Sequence, residues 1–439
     1  MSKPHILIIG AGAWGSSTAV SLLESGKYTV TLLDRGTELP TADAASMDMN
    51  KIVRFDYRTP QYADLAFKAL ERWREPEWAG MYNESGTVVV AETGDKKYDL
   101  DGTIAIVSER CPDIKTHSTR KEVESALDPM GKGVAGDMTG RRAYSNPWGG
   151  WVDAAKATKH LIDKTEEHPD GTVIRGAEAS SFIFGEDGDI KGVKCLDGRG
   201  FEGDKVIVAS GAWTENLMGE LLPSGLLTSV GIVVAAFKLS EEEYERYKDI
   251  PVIMGWDGTG FYSMPPTPDT KMLKFGLAEH KHGYTTESGI PRTTLSPGAA
   301  DWHKEHNTSW LPDQSFATMR EVTERFFPEF TIRPFDFTRM CPIPDTCDGD
   351  FVLDYISKHP SLLVASGGSD HSYKMMPIIG DLVRERMEGT LDPSLAKLWA
   401  IRSGRTESIL APRSNVEDIT FAGAKQVQVD TGEGTAVSA

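Results

Sequence analysis

The chain has 439 residues, more than one ordinary domain and fewer than three. Apolar residues make up 39% and charged residues 26%, which supplies a packed core and excludes collagen-like, low-complexity and wholly disordered chains. Lys+Arg is 47 against Asp+Glu 65, and the net charge of −18 excludes phosphate backbones and anionic membranes as main partners.

His5-Ile-Leu-Ile-Ile9 is a continuous apolar run, the pattern of a strand buried on both faces of a parallel sheet. Gly10-Ala-Gly-Ala-Trp-Gly15 follows at once, then helical spacing over Ser16–Glu24 and a second strand, Tyr28–Leu33, ending at Asp34. Residues 60–76 predict an amphipathic helix through Tyr62, Leu65, Ala66, Leu70 and Trp73. The stretch 80–145 mixes short strands, such as Thr87–Ala91, with charged helices. Asn146–Trp151 reads as a turn, Val152–Lys164 as a helix, Gly171–Ile174 as a strand, and Lys205–Trp213 as a buried strand ending in small residues. Residues 230–290 are rich in β-type runs and 300–330 in helical ones. Ser361–Gly368 is a last buried strand before a helix over about 376–388, and the tail after 411 is poor in apolar residues.

No apolar stretch approaches the roughly 18–20 residues of a membrane span. The N-terminus lacks a signal-peptide pattern, and the final Ala-Val-Ser-Ala is not the peroxisomal Ser-Lys-Leu. Cys111, Cys195, Cys341 and Cys347 form no CxxC pair and are too sparse for a disulfide framework. A cytoplasmic, monomeric protein without a metal is expected.

The first chemical constellation is Gly10-x-Gly12-x-x-Gly15 with Asp34. Gly10 permits the tight turn, Gly12 lets backbone approach a pyrophosphate, and Gly15 lets helix and strand pack closely. The helix N-terminus then faces phosphates, and Asp34, 24 residues after Gly10, stands where a carboxylate accepts bonds from a ribose. The motif alone does not separate NAD from FAD. Two later strands that end in small-residue turns, at Ser210-Gly211-Ala212 and Ser366-Gly367-Gly368, suggest a nucleotide fold assembled from discontinuous segments.

Over about residues 5–410 the sequence resembles the FAD-dependent amine oxidases of the sarcosine oxidase and fructosyl amino acid oxidase (amadoriase) group. The resemblance rests on Gly10–Gly15 with Asp34, Asp48–Arg54, Gly149-Gly150-Trp151 with its following helix, Cys341–Asp354, and Gly367–Lys374, all in the same order. It implies an α/β fold with two parts. One is a Rossmann-like FAD domain from residues 1–60, 146–225 and 335–410. The other is a mainly antiparallel substrate domain from 61–145 and 226–334, with 411–439 as a tail. It implies covalent FAD and oxidation of a C–N bond by O2 with release of H2O2. The FAD contacts it implies are Gly10, Gly12, Ala13, Trp14, Gly15, Asp34, Arg35, Ser46, Asp48, Asn50, Lys51, Val173, Gly211, Trp213, Cys341, Gly368, His371, Tyr373 and Lys374.

Individual residues keep two readings. On its own Cys341 is a buried free thiol; by resemblance, a cysteine ten residues before the aromatic Phe351 carries the flavin through a thioether, and Cys347 does not fit that spacing. Lys274 shares a strand face with Met272 and Gly276. By pattern it is a solvent-facing lysine; by resemblance, a buried cation beside the flavin where O2 is reduced. Lys51 and Arg54 are surface charges after a loop, or a lysine near the flavin and a guanidinium for the substrate carboxylate. Lys374 is a charge at a helix N-terminus, or the second carboxylate partner. His371 is a structural histidine or a flavin support. One departure stands out. Four residues after the lysine, sarcosine-type enzymes have a histidine and amadoriases a glutamate, whereas this chain has Ala278, followed by Glu279 and His280. A one-residue bulge would restore either. The expected reaction is oxidation of a secondary-amine amino acid such as sarcosine, pipecolate or saccharopine. A fructosyl amino acid oxidase, or a flavin dehydrogenase or monooxygenase, is the alternative.

Overall fold

A computed structural model describes residues 2–283, 313–402 and 417–418. The apolar runs form the strands of a sheet ordered Val352–Ile356, His359–Ser366, Lys205–Val208, His5–Ile9, Thr29–Leu33, Gly171–Ile174. Its neighbours pair in parallel, except for the antiparallel edge strand Val352–Ile356. Ile6, Leu7, Ile8, Val206, Ile207 and Leu362 are all fully buried, as expected of strands covered on both faces. Helix Ala13–Glu24 packs on helix Met376–Glu388, where Gly380 lies against Ser17 and its N–H donates to Ser17 Oγ at 2.8 Å.

A second, mostly antiparallel sheet runs in the order Phe337–Thr346, Leu227–Lys238, Met272–Gly283, Phe261–Met264, Val252–Trp256, Thr87–Glu92, Arg141–Asn146, Lys115–His117. Two stretches pack across the division expected from sequence. Helix Pro60–Trp73 buries Tyr62, Ala66, Leu70 and Trp73 in the same core as the first strand. Strand Phe337–Thr346, which carries Cys341, is an edge strand of the antiparallel sheet, because its register follows Leu227–Lys238 over its whole length. Among the features that went unread in the sequence are the small sheet of Ala179–Phe184, Ile190–Cys195 and Gly200–Glu202, a second one of Lys51–Val53, Gly150–Val152 and Tyr82–Asn83, and helix Glu241–Tyr247, whose Ser240–Glu243 capping box was a legible signal.

The largest departure from regularity lies after Lys274. Val233 pairs with Leu277, but the next residue, Ile232, pairs with Lys281. The strand therefore bulges by three residues, Ala278, Glu279 and His280, rather than by one. The side chains of residues 280–283 and of Asp313, residues 284–312 and the tail beyond 402 apart from the backbone of 417–418 lie outside the described residues. Among the described residues no helix is long and apolar enough to cross a membrane.

Candidate active site

Two adjoining cavities lie where the sheets meet, and both are bordered by Lys51, Asp370 and Tyr373. The first is lined by Gly10, Gly12, Ala13, Trp14, Asp34, Arg35, Ser46, Gly211, Trp213 and Gly368, all expected cofactor residues. Gly10 has φ +104°, and a Cβ there would lie 2.5 Å from the Ala209 carbonyl oxygen. A Cβ on Gly15 would overlap the Gly10 carbonyl oxygen, so helix and strand meet backbone to backbone.

These residues fit a dinucleotide. The helix that starts at Ala13 has Gly12 at its cap position, which offers no capping side chain, and no acidic residue lies in its first turn, so its N–H groups suit phosphates. Asp34 accepts from Ala11 N at 2.8 Å, Gly36 N at 2.9 Å and Thr41 Oγ1 at 2.6 Å, which fixes its carboxylate at the cavity wall. Arg35 stacks over Trp213 at 4.1 Å and pairs with Asp43. Among the described residues the buried Ser46 Oγ, beside Gly12, has no hydrogen-bond partner, as a group awaiting a ligand would. Val173 lies on the edge strand paired with Leu32 and borders neither cavity.

The second cavity gathers Asn50, Lys51, Arg54, Lys274 and Lys374 with Met254, Trp256, Tyr262, Met264 and Glu279. Strand Lys51–Val53 is held by antiparallel pairing with Gly150–Val152, which explains the Gly149-Gly150-Trp151 block. A Cβ on Gly150 would lie 2.0 Å from the Asn83 carbonyl oxygen. Lys274 is 1% exposed, not solvent-facing. Gly276, on the same strand face, leaves the room that the Tyr262 ring occupies, 6.0 Å from Lys274 Nζ.

One carboxylate organises the lysines. Asp48 lies 2.7 Å from Lys274 Nζ and 2.9 Å from Lys51 Nζ, and Lys274 also donates to the Asn50 carbonyl at 2.9 Å. Burial alone would raise the Asp48 carboxyl, but the two ammonium groups outweigh it and hold it below the usual range. Burial also opposes the charge on Lys51, yet Asp48 keeps that lysine above its ordinary value. For Lys274 burial wins: its ammonium is pushed down to about 8 despite Asp48, with Lys51 adding to the fall. Cys341 is 3% exposed, and its Sγ lies 4.0 Å from Lys51 Nζ. Cys347 is exposed, whereas burial raises the thiols of Cys111 and Cys195 within apolar clusters.

In the same cavity, Arg54 donates to the Asp56 carbonyl and lies over the Tyr57 ring at 5.2 Å. Asp56 is buried and accepts from Tyr144 Oη at 2.8 Å and from Asn146. Lys374 Nζ donates to Tyr57 Oη at 3.1 Å and to the His371 carbonyl at 2.7 Å. His371 borders neither cavity; it stacks on Phe351 with ring centres 4.8 Å apart. From the bulge, Glu279 faces the cavity and accepts from Tyr98 Oη and from Lys97 Nζ, the latter at 3.1 Å. Sequence reasoning missed Tyr57, Trp256, Tyr262 and the Tyr98–Glu279 contact. Nothing in an isolated strand or loop marks an aromatic as site-facing rather than core.

Residues 5–386 match the family model described as FAD dependent oxidoreductase. The L-saccharopine oxidase of Schizosaccharomyces pombe is 28% identical over 429 residues, spanning 90% of this chain and 93% of that enzyme. A monomeric sarcosine oxidase of a Bacillus species is 23% identical, over 87% and 92% of the two chains. The modified fructosyl peptide oxidase of Aspergillus nidulans superposes with a TM-score of 0.81 at 26% identity, covering 96% of this chain and 98% of that chain. The chain belongs to the FAD dependent oxidoreductase family, as an FAD-dependent oxidase of amino acids or amines in the sarcosine oxidase and amadoriase group.

Proposed function

We propose that this member of the FAD dependent oxidoreductase family oxidises the C–N bond of an amino acid bearing a secondary amine, with Arg54 and Lys374 receiving its carboxylate. One observation carries the reading. Cations from two distant segments, Arg54 and Lys374, converge in a single cavity with Lys51 and Lys274, and Lys51 also borders the dinucleotide cavity. A guanidinium binds a carboxylate through two parallel bonds, and an ammonium adds a point charge. The FAD, when bound, supplies the electron acceptor and the O2 chemistry that yields H2O2. Gly10, Gly12, Asp34, Arg35, Ser46, Trp213 and Gly368 would hold it, and Cys341 would be its point of covalent attachment.

The rest of the task belongs to side chains. Arg54 and Lys374 fix the carboxylate, which directs the α-carbon toward the shared border of the two cavities. Met254, Met264, Trp256 and Tyr262 exclude water. Lys274 presents a fixed positive charge where negative charge develops on oxygen. The imine product hydrolyses in water. Glu279 is engaged by Tyr98 and Lys97, so a sugar-like polyol gains less from it than from an acid standing at Ala278.

A side-by-side peroxide assay tests this, with sarcosine, pipecolate, saccharopine, fructosyl-valine and decarboxylated analogues. A secondary amino acid without a sugar should exceed the fructosyl substrate by about tenfold or more in kcat/KM. Arg54→Ala should raise KM for it strongly. A fructosyl amino acid as best substrate, or a carboxylate-free amine turned over as well as its parent, defeats the reading.

A further inference from the structure

We propose that Tyr57 is the positioning residue of the substrate clamp, a single phenol that sets the spacing between Arg54 and Lys374. The inference rests on the reading of those two cations as the carboxylate partners. Tyr57 stands between them: the Arg54 guanidinium lies over its ring at 5.2 Å, and Lys374 Nζ sits 3.1 Å from its hydroxyl. The two cations come from segments more than 300 residues apart in sequence, and Tyr57 contacts both.

Tyr57 is itself fixed. It is 4% exposed, and its ring stacks on Tyr62 at 5.6 Å. Tyr62 in turn donates to Asp350 at 2.9 Å and accepts from Trp399 Nε1 at 3.1 Å. The Tyr57 hydroxyl lies 3.0 Å from His371 Nδ1, while His371 Nε2 lies 2.9 Å from the Gly349 carbonyl oxygen. A carbonyl only accepts, so Nε2 carries the proton and Nδ1 accepts from the phenol. With its hydrogen directed at His371, whose carbonyl oxygen also lies 3.2 Å away, the Tyr57 oxygen presents lone pairs to Lys374. Arginine and lysine side chains are rich in rotamers, and ordering them at the moment of binding weakens binding. A clamp ordered beforehand by a buried ring avoids that cost. An aromatic that merely fills volume would affect every substrate alike, and this difference makes the role testable.

The holoenzyme variants Tyr57→Phe and Tyr57→Leu are compared on a secondary amino acid and its decarboxylated analogue. Tyr57→Phe keeps the ring and loses the hydroxyl. It should raise KM for the amino acid by about fivefold, with kcat within about twofold and the analogue unaffected. Tyr57→Leu should cut the preference for the amino acid over the analogue by roughly thirtyfold or more. Propionate, a carboxylate without an amine, should raise the melting temperature of wild type more than that of either variant. Equal losses on both substrates, or unchanged preference in both variants, overturn the proposal. If Tyr57→Leu does not fold, Tyr57→Phe decides. Arg54→Ala separates the two levels: if it leaves the carboxylate preference intact, the clamp reading itself fails. If it abolishes the preference while the Tyr57 variants keep it, only the role of Tyr57 falls.

Discussion

The two cavities share a border but are built by opposite means. The dinucleotide side is made largely of backbone and small residues, and its defining turn, helix and acid come from one stretch of 30 residues. The substrate side is made of cations and aromatics from at least four separate segments, held by one buried carboxylate and one bulge. The first fails when an atom is added; the second fails when a charge or its spacing changes. Substitutions should therefore act as presence or absence of cofactor on one side, and as graded kinetics on the other.

The largest effect is expected at Gly10. With φ +104° and the Ala209 carbonyl oxygen 2.5 Å from any added Cβ, Gly10→Val is both strained and blocked. It should yield protein without flavin absorbance, or no soluble protein. A normally loaded yellow variant would show that the turn is more plastic than its geometry allows. Next comes attachment at Cys341, which faces Lys51 at 4.0 Å, whereas Cys347 is exposed. Acid-precipitated wild type should stay yellow, Cys341→Ser should release all colour to the supernatant, and Cys347→Ser should release none. The reverse result moves the linkage.

Lys274 tests the graded side. A fixed cation for developing superoxide corresponds to roughly 10²–10³ in rate, so Lys274→Met should lower kcat/KM for O2 by about that factor. Anaerobic reduction by substrate should change much less. The sign of the pH dependence follows from its lowered value. The ammonium is charged below about 8 and neutral above it. kcat/KM for O2 should therefore hold steady below pH 8 and fall as pH rises through it, with the fall absent in Lys274→Met. A rise with pH would assign the titration to another group.

Legibility in the sequence divides along the same border. Gly10, Gly12, Gly15 and Asp34 could be read because their chemistry needs fixed spacing within one βαβ unit, and the structure places them so. Lys51, Arg54, Lys274 and Lys374 were named by resemblance, since each alone looks like a solvated charge. Only tertiary pairing shows that Asp48 joins two of them and Tyr57 the others. The antiparallel sheet was visible as β-type runs, but its register was not. A bulge of three residues rather than one leaves no mark in the alternation of a strand that already carries Ala278, Glu279 and His280 in sequence.

That bulge carries the smallest expected effect and the finest distinction. Glu279 lies partly exposed at the cavity, holding Tyr98 and Lys97, and Lys97 is half exposed. An ion pair of this exposure contributes about 0–1 kcal/mol, so Glu279→Gln should leave the melting temperature nearly unchanged. A small secondary amino acid, clamped by its carboxylate at Arg54 and Lys374, does not need Glu279. Its kcat/KM should change by less than about threefold. A fructosyl amino acid extends further and presents hydroxyls to the cavity wall. If the bulge does deliver an acidic partner to such a polyol, the same substitution should cost that substrate about tenfold or more, because a charged hydrogen bond is lost from a confined site. Measuring both substrates on one variant therefore decides whether the three extra residues replace the acid missing at Ala278 or only close the cavity. A loss confined to the fructosyl substrate establishes replacement; equal, small changes establish closure.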